Sequence, residues 1–161
     1  MTVTVSDTGG DGNCLFRALS LAISQNERNH QIIRSYVVND MVNSDISMDM
    51  PNLFAANNNQ SQSFQEHIVS MQQLGTWGTD QEIVSAAHLF DCSILCCSYY
   101  DSTGNVCIQH FPPHFASNQI CSDDCHHQSI YLVNSGGHYE PAAVVCMPVQ
   151  FPLQHPTNPE L

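Results

Sequence analysis

Asp11-Gly12-Asn13-Cys14-Leu15-Phe16-Arg17-Ala18 is the stretch on which the reading of this 161-residue chain turns. A glycine-rich turn, Gly9-Gly10-Asp11-Gly12-Asn13, runs into apolar residues at helical spacing: Leu15, Leu19, Ala22 and Ile23. The pattern predicts a helix over Cys14 to Ser24 with Cys14 as its first residue. A thiol there sits on unpaired amides at the positive end of the helix dipole, and both favour the thiolate, which is the nucleophile. The glycines and Asn13 permit tight turns, so main-chain N–H groups of Asp11, Gly12, Asn13 and Cys14 can aim at a developing oxyanion.

A nucleophile needs a base, and Gly136-Gly137-His138-Tyr139-Glu140 offers one. His138 begins a predicted strand. Alternation puts Glu140 on the same face, where its carboxylate can accept a hydrogen bond from the imidazole and fix its tautomer. Taken singly, a cysteine opening a helix or a histidine after glycine is more often structural. Together they point to a cysteine peptidase with Cys14 as nucleophile and His138 as general base.

Between these two segments the apolar pattern changes period. Ile32, Ile33, Tyr36, Val37 and Met41 predict a second helix, and Asp45 to Asn59, with Pro51 and Asn57-Asn58-Asn59, reads as a loop. Phe64, Ile68, Met71 and Leu74 recur at helical spacing up to Gly75. Thr79 and Glu82 form a capping-box signature ahead of Ile83, Val84, Ala86, Ala87 and Phe90. Cys92 to Tyr100 and Val106 to His110 then read as strands about the turn Asp101 to Asn105, and Phe111 to Gln128 as irregular. Ser129 to Val133 and Tyr139 to Val145 form a last pair about Asn134-Ser135-Gly136-Gly137. Helices first and an antiparallel sheet afterwards predict an α+β domain over residues 1–147, with 148–161 a proline-rich tail or linker.

Composition narrows the partners. Fifteen acidic residues face three arginines, there is no lysine, and the net charge is −12. Such a chain repels phosphate backbones, so nucleic acid is excluded as a partner, whereas a basic protein surface would be steered towards it. No apolar run approaches the roughly 20 residues of a membrane span, and Met1 to Asp7 has neither the basic nor the apolar region of a secretory signal. The eight cysteines fall partly inside apolar strand segments. Buried free thiols in a reducing, intracellular compartment, cytoplasmic or nuclear, are therefore expected. Cys121, Cys125, His126 and His127 raise a metal site, but their spacing is not a zinc pattern, because adjacent histidines rarely reach one ion; no metal is expected.

The quoted octapeptide resembles the nucleophile motif of the ovarian-tumour (OTU) family of deubiquitinating cysteine proteases. Trp77-Gly78-Thr79-Asp80-Gln81-Glu82-Ile83 is similar to that family's central segment, and Ile130 to Val133 followed by Gly137-His138-Tyr139 to its histidine strand, all in family order. The resemblance spans roughly Gly9 to Val145. It implies a papain-like α+β fold, helices flanking a small, mostly antiparallel sheet. It also implies thiol-dependent hydrolysis of isopeptide bonds at the C-terminus of ubiquitin or a related modifier, by a monomer without metal or cofactor. Ubiquitin or polyubiquitin would be the partner, and the basic face around the ubiquitin tail would meet the −12 charge. Asp11 would act through its main chain, its side chain bracing the loop. Gly137, Tyr139 and Trp77 would border the substrate, although Trp77 reads first as a mostly buried loop anchor. The family's third triad member is commonly Asp or Asn two residues after the histidine, where this chain has Glu140. Glu140 is favoured by strand geometry, with Asn134 or Asp7 as the other candidates. If none orients His138, the domain would be a catalytically weak or inactive ubiquitin-binding module.

Overall fold

The computed structural model describes residues 3–5, 9–57, 62–99, 106–114 and 129–145. Asp7, the cluster Cys121, Cys125, His126 and His127, and the 148–161 tail lie outside them. The elements are β1 (Val3–Val5), α1 (Cys14–Ser24), α2 (His30–Asn43), α3 (Met50–Asn57), α4 (Phe64–Met71), α5 (Asp80–Leu89), β2 (Ser93–Tyr99), β3 (Val106–Phe111), β4 (Ser129–Ser135) and β5 (His138–Val145).

Helix α1 begins at Cys14 because its apolar stripe begins there; Leu15, Phe16, Ala18 and Leu19 are all buried. It stops at Gln25, which adopts a left-handed conformation and returns its N–H to Leu21 O. Helix α2 buries Ile33, Val37, Val38 and Met41 together with two charged side chains, Arg34 and Asp40. Helix α5 is buried over most of its length, and Glu82 Oε2 accepts both the N–H (2.7 Å) and the hydroxyl (2.8 Å) of Thr79 at its start. Ser63 and Glu66 close a reciprocal cap on α4, which ends at Met71 and leaves Leu74 exposed.

The loop expected over Asp45 to Asn59 is instead a 3-10 turn, Asp45–Met48, followed by α3. Pro51 does not break this helix, because it lies in the first turn, where an N–H has no intrahelical acceptor to lose. Ile46, Met50 and Phe54 are buried at intervals of one helical turn, a periodicity that the proline disguises in the sequence.

The five strands lie in the order β1-β5-β4-β2-β3. Every pair is antiparallel except β2 and β4, which run parallel from Ser93↔Ser129 to Ser98↔Asn134. The sheet is thus mostly antiparallel, with one parallel pair and an N-terminal strand, Val3–Val5, whose Thr-Val alternation fits a strand although none was expected there. A two-residue turn joins β4 to β5 at Gly136 and Gly137, both with positive φ (65° and 93°), the twist that favours a tight hairpin. Asn134 Oδ1 accepts the Gly137 N–H at 2.8 Å. Between the sheet and helices α1, α2 and α5 sits a core of Phe16, Leu19, Val37, Met41, Ile83, Ile94 and Leu132.

The loop before α1 is pressed against the segment after α4. Gly12 (φ 80°) and Gly75 (φ 80°) meet back to back, and a Cβ on Gly12 would fall 1.9 Å from Gly75 O. Gly12→Ala is therefore expected to lower unfolding stability by about 2 kcal/mol or more. Urea denaturation checks this; a loss below about 0.5 kcal/mol would show that the loop relaxes freely.

Candidate active site

The fold brings Cys14 and the His138 strand together. Cys14, 1% exposed, holds the first position of α1, where its own N–H has no intrahelical acceptor. Its Sγ accepts a hydrogen bond from the Tyr139 N–H at 3.5 Å. Hairpin geometry explains why that amide is available. Ser135↔His138 is the pair that closes the turn, so at the next pair, Asn134↔Tyr139, the β5 amide points away from β4. Strand β1 reaches β5 only from Ala142 onward, leaving the outer edge of Tyr139 to α1.

His138 and Glu140 share a face of β5, as alternation requires, with His138 Nε2 3.6 Å from Glu140 Oε1. This is ion-pair spacing and longer than a hydrogen bond. With Nε2 turned to the carboxylate, Nδ1 is the ring nitrogen presented to the other side. Asn134, the other described candidate for orienting His138, spends its Oδ1 on the turn amide of Gly137.

The loop before the nucleophile is braced by side chains. Asp11 Oδ1 accepts the Asn13 N–H (3.1 Å), and Oδ2 accepts from Arg17 Nη2 (2.7 Å). The Arg17 hydrogen bond, followed by that of Asn13, holds the Asp11 carboxyl well below the usual carboxylate range. The Asn13 N–H, one of the amides expected to face an oxyanion, donates to Asp11 in this structure.

A cleft of about 630 Å³ runs beside Cys14's strand neighbour, lined by Trp77, Gly78, Thr79, Asp80, Gly136, Gly137 and Tyr139, with Phe54 and His67 below. Trp77 is 48% exposed, so it is a cleft wall and not the mostly buried anchor its size suggests. Gly78 backs onto Leu15, whose Cδ2 lies 2.4 Å from where a Cβ would stand, which keeps the wall close to α1. Burial pushes the Asp80 carboxyl above its ordinary value, with Gln109 opposing, and burial likewise raises the Tyr139 phenol.

Three parts of the site escaped the sequence reading. Phe54 comes from the unexpected α3 and packs on the His67 ring at 4.8 Å. His67 Nε2 meets Glu82 Oε1 at 2.7 Å, both buried, so the capping glutamate also anchors α4. Arg34, 2% exposed, reaches the loop itself: Nη2 lies 3.2 Å from Gly12 O and 3.0 Å from Asn13 Oδ1. A cation inside the apolar stripe of α2 was the signal available for it.

Burial raises Cys92 to about 11 and Cys96 to about 12, which keeps them protonated and inert.

A thiol at a helix N-terminus, packed against a strand that carries an imidazole with a carboxylate 3.6 Å away, is the arrangement that a papain-like cysteine protease fold presents. The chain belongs to the OTU-like cysteine proteases: it matches that family's model over residues 9–139. Among relatives, it is 27% identical over 128 residues to the OVARIAN TUMOR DOMAIN-containing deubiquitinating enzyme 9 of Arabidopsis thaliana. That match covers 76% of this chain and 34% of the relative, so the chain spans about a third of its length. Solved structures share the fold. The OTU domain of OTUD1 superimposes with a TM-score of 0.64 at 20% identity, covering 85% of this chain and 83% of that one. An OTU deubiquitinase from Wolbachia pipientis wMel, bound to ubiquitin, gives 0.61 at 14% identity over 86% and 94%. The Hazara virus OTU bound to ubiquitin gives 0.63 at 13% over 89% and 82%.

The Asp11–Arg17 pair yields a pH signature. Asp11 is held below its unfolded value, so the pair's contribution is present at neutral pH, fades below about 3.9, and is gone beneath the folded value. Arg17→Ala is expected to cost less than about 1 kcal/mol at pH 7, because the pair is half exposed. The difference from wild type should shrink below about pH 4; denaturation curves at pH 7 and pH 3 with an unchanged gap would contradict the assignment.

Proposed function

We propose that this chain is a deubiquitinase that hydrolyses the isopeptide bond at the C-terminus of ubiquitin or a closely related modifier. The observation that carries the reading is the 3.5 Å hydrogen bond from the Tyr139 N–H, next to His138 on β5, to Cys14 Sγ, with Tyr139 also lining a cleft walled by Gly78, Gly136 and Gly137. A cleft with three glycines in its walls suits an extended tail with small residues at the scissile end.

In this mechanism His138 takes the thiol proton through Nδ1, and Cys14 attacks the terminal carbonyl to form a C–S bond. The main chain around Gly12 and Cys14 holds the oxyanion. Collapse breaks the C–N bond, and the imidazolium returns its proton to the leaving lysine amine. Water, deprotonated by the same imidazole, then cleaves the thioester and releases the modifier's carboxylate. Glu140 orients His138 and offsets its positive charge. The acidic composition favours capture of the basic surface around the ubiquitin tail. We place the enzyme, as a monomer, in a reducing intracellular compartment, in keeping with free buried thiols at Cys92, Cys96 and Cys97.

One observation favours a second reading, an OTU-like module that grips ubiquitin with little or no cleavage: Glu140 stands 3.6 Å from His138, beyond hydrogen-bond reach. Ubiquitin carrying a C-terminal electrophile tests both. Covalent capture by wild type and not by Cys14→Ala is expected; binding without capture would support the module, and neither binding nor capture would defeat the ubiquitin reading. In turnover assays Glu140→Ala is expected to lower kcat by about 10²-fold or more with the fold intact; activity within twofold of wild type would remove Glu140 from the triad.

A further inference from the structure

Two irregular segments flank the nucleophile, the loop at Asp11 to Asn13 and the stretch from Gln72 to Thr79, and neither belongs to a helix or strand that would satisfy its main chain. Arg34 enters between them from the middle of α2. Its Nη1 donates to Met71 O (3.1 Å); its Nη2 lies within hydrogen-bond distance of Gly12 O (3.2 Å), Asn13 Oδ1 (3.0 Å) and Thr76 O (2.9 Å). The guanidinium rests 4.0 Å above the centre of the Phe16 ring. Asn13 Oδ1 accepts the Gly75 N–H as well (2.9 Å), so one amide oxygen joins both segments to the arginine.

The Gly12–Asn13 peptide is the unit this arrangement controls. Its carbonyl is held by Arg34, and its N–H end is held by Asp11 Oδ1 at 3.1 Å. Glycine at position 12 has no Cβ to resist rotation, so without a clamp at both ends this plane could turn. A turned plane would swing the Gly12 carbonyl towards the space beside Cys14, placing a negative dipole where negative charge must develop. An apolar side chain at position 34 would pack against Phe16 and the α2 stripe but would leave the Met71, Gly12 and Thr76 carbonyls without this donor, so Arg34 braces the loop, and a role in the reaction needs a readout that bracing alone would not move.

We propose that Arg34 is a positioning residue for acyl transfer: it holds the Gly12 carbonyl away from the oxyanion site and, through Thr76, fixes the wall that carries Trp77 to the same point. The role rests on the hydrolase reading of Cys14 above but not on ubiquitin as substrate. It requires the planar fork and not merely a positive charge, because two nitrogens held apart in one plane reach Met71 O on one side and the Gly12, Asn13 and Thr76 acceptors on the other; the single nitrogen of a lysine cannot span both.

The test compares two reactions of the same sulfur. Alkylation of Cys14 by iodoacetamide needs a nucleophilic thiol and no oxyanion site, whereas acylation by p-nitrophenyl acetate and turnover of a ubiquitin C-terminal ester both pass through an oxyanion. In Arg34→Lys we expect alkylation within about threefold of wild type and both acyl transfers slower by about ten- to a hundredfold, with the loss in kcat more than in KM. If Arg34→Lys fails to fold by circular dichroism, Asn13→Ala decides with the same pair of rates. It removes the shared acceptor of Arg34 and Gly75 but no capping bond, since the Asn13 side chain makes none to α1. Acyl transfer within threefold of wild type in a folded variant would overturn the proposal, as would a parallel fall of alkylation and acylation. Wild type that is acylated by p-nitrophenyl acetate but does not turn over the ubiquitin ester would instead overturn the substrate reading and leave the role of Arg34 to the acetate rates.

Discussion

The buried guanidinium of Arg34 is the point at which the parts of this domain that are not helix or strand are tied to the parts that are. Removing an arginine from water costs several kcal/mol unless its donors are satisfied. Here Nη1 and Nη2 meet main-chain carbonyls and one amide side chain, while Nε is buried with no hydrogen-bond partner among the described residues. Burial lowers the arginine's proton affinity, while the charges of Glu82, Asp11 and Cys14 oppose that shift. The cation therefore collects irregular backbone around itself, because only irregular backbone has carbonyls to spare. The contact between Gly12 and Gly75 follows from this gathering: two segments held by one group come close enough that Gly12 cannot carry a Cβ.

The catalytic side of the domain depends on how β5 divides its edges. Towards β4 it forms a tight hairpin; away from β4 its first residues face α1 and its later ones face β1. A longer β1, pairing back to Tyr139, would take the amide that now bonds Cys14 Sγ. The short N-terminal strand and the two-glycine turn thus set the same distance from opposite ends. The cleft shows a comparable economy, since Glu82 caps α5, anchors His67 and steadies the wall through Thr79.

Much of this was legible in the sequence because it depends on local rules. A turn-forming run before an apolar helical stripe placed Cys14 at a helix start, Thr79 and Glu82 marked the beginning of α5, and the paired glycines at 136 and 137 marked the hairpin that delivers His138. Features that depend on distant partners were not legible. Trp77 is large enough to look like a core residue, and only the cleft explains its exposure. Helix α3 was hidden by Pro51, whose effect reverses between the first turn and the interior of a helix. The parallel pairing of β2 with β4 leaves no mark on either strand alone. Asn13 looked like a donor in the loop until the Asp11 carboxylate was seen to occupy its amide.

The bond from the Tyr139 amide to Cys14 Sγ carries a further meaning for the chain as a chemical object in a crowded cell. The strand that carries His138 is the same strand whose amide bonds the sulfur, so both are withdrawn by one movement. If α1 and β5 separate, Cys14 loses the Tyr139 amide and the His138 strand together. The surroundings of the sulfur are therefore a property of the assembled domain and of neither element alone.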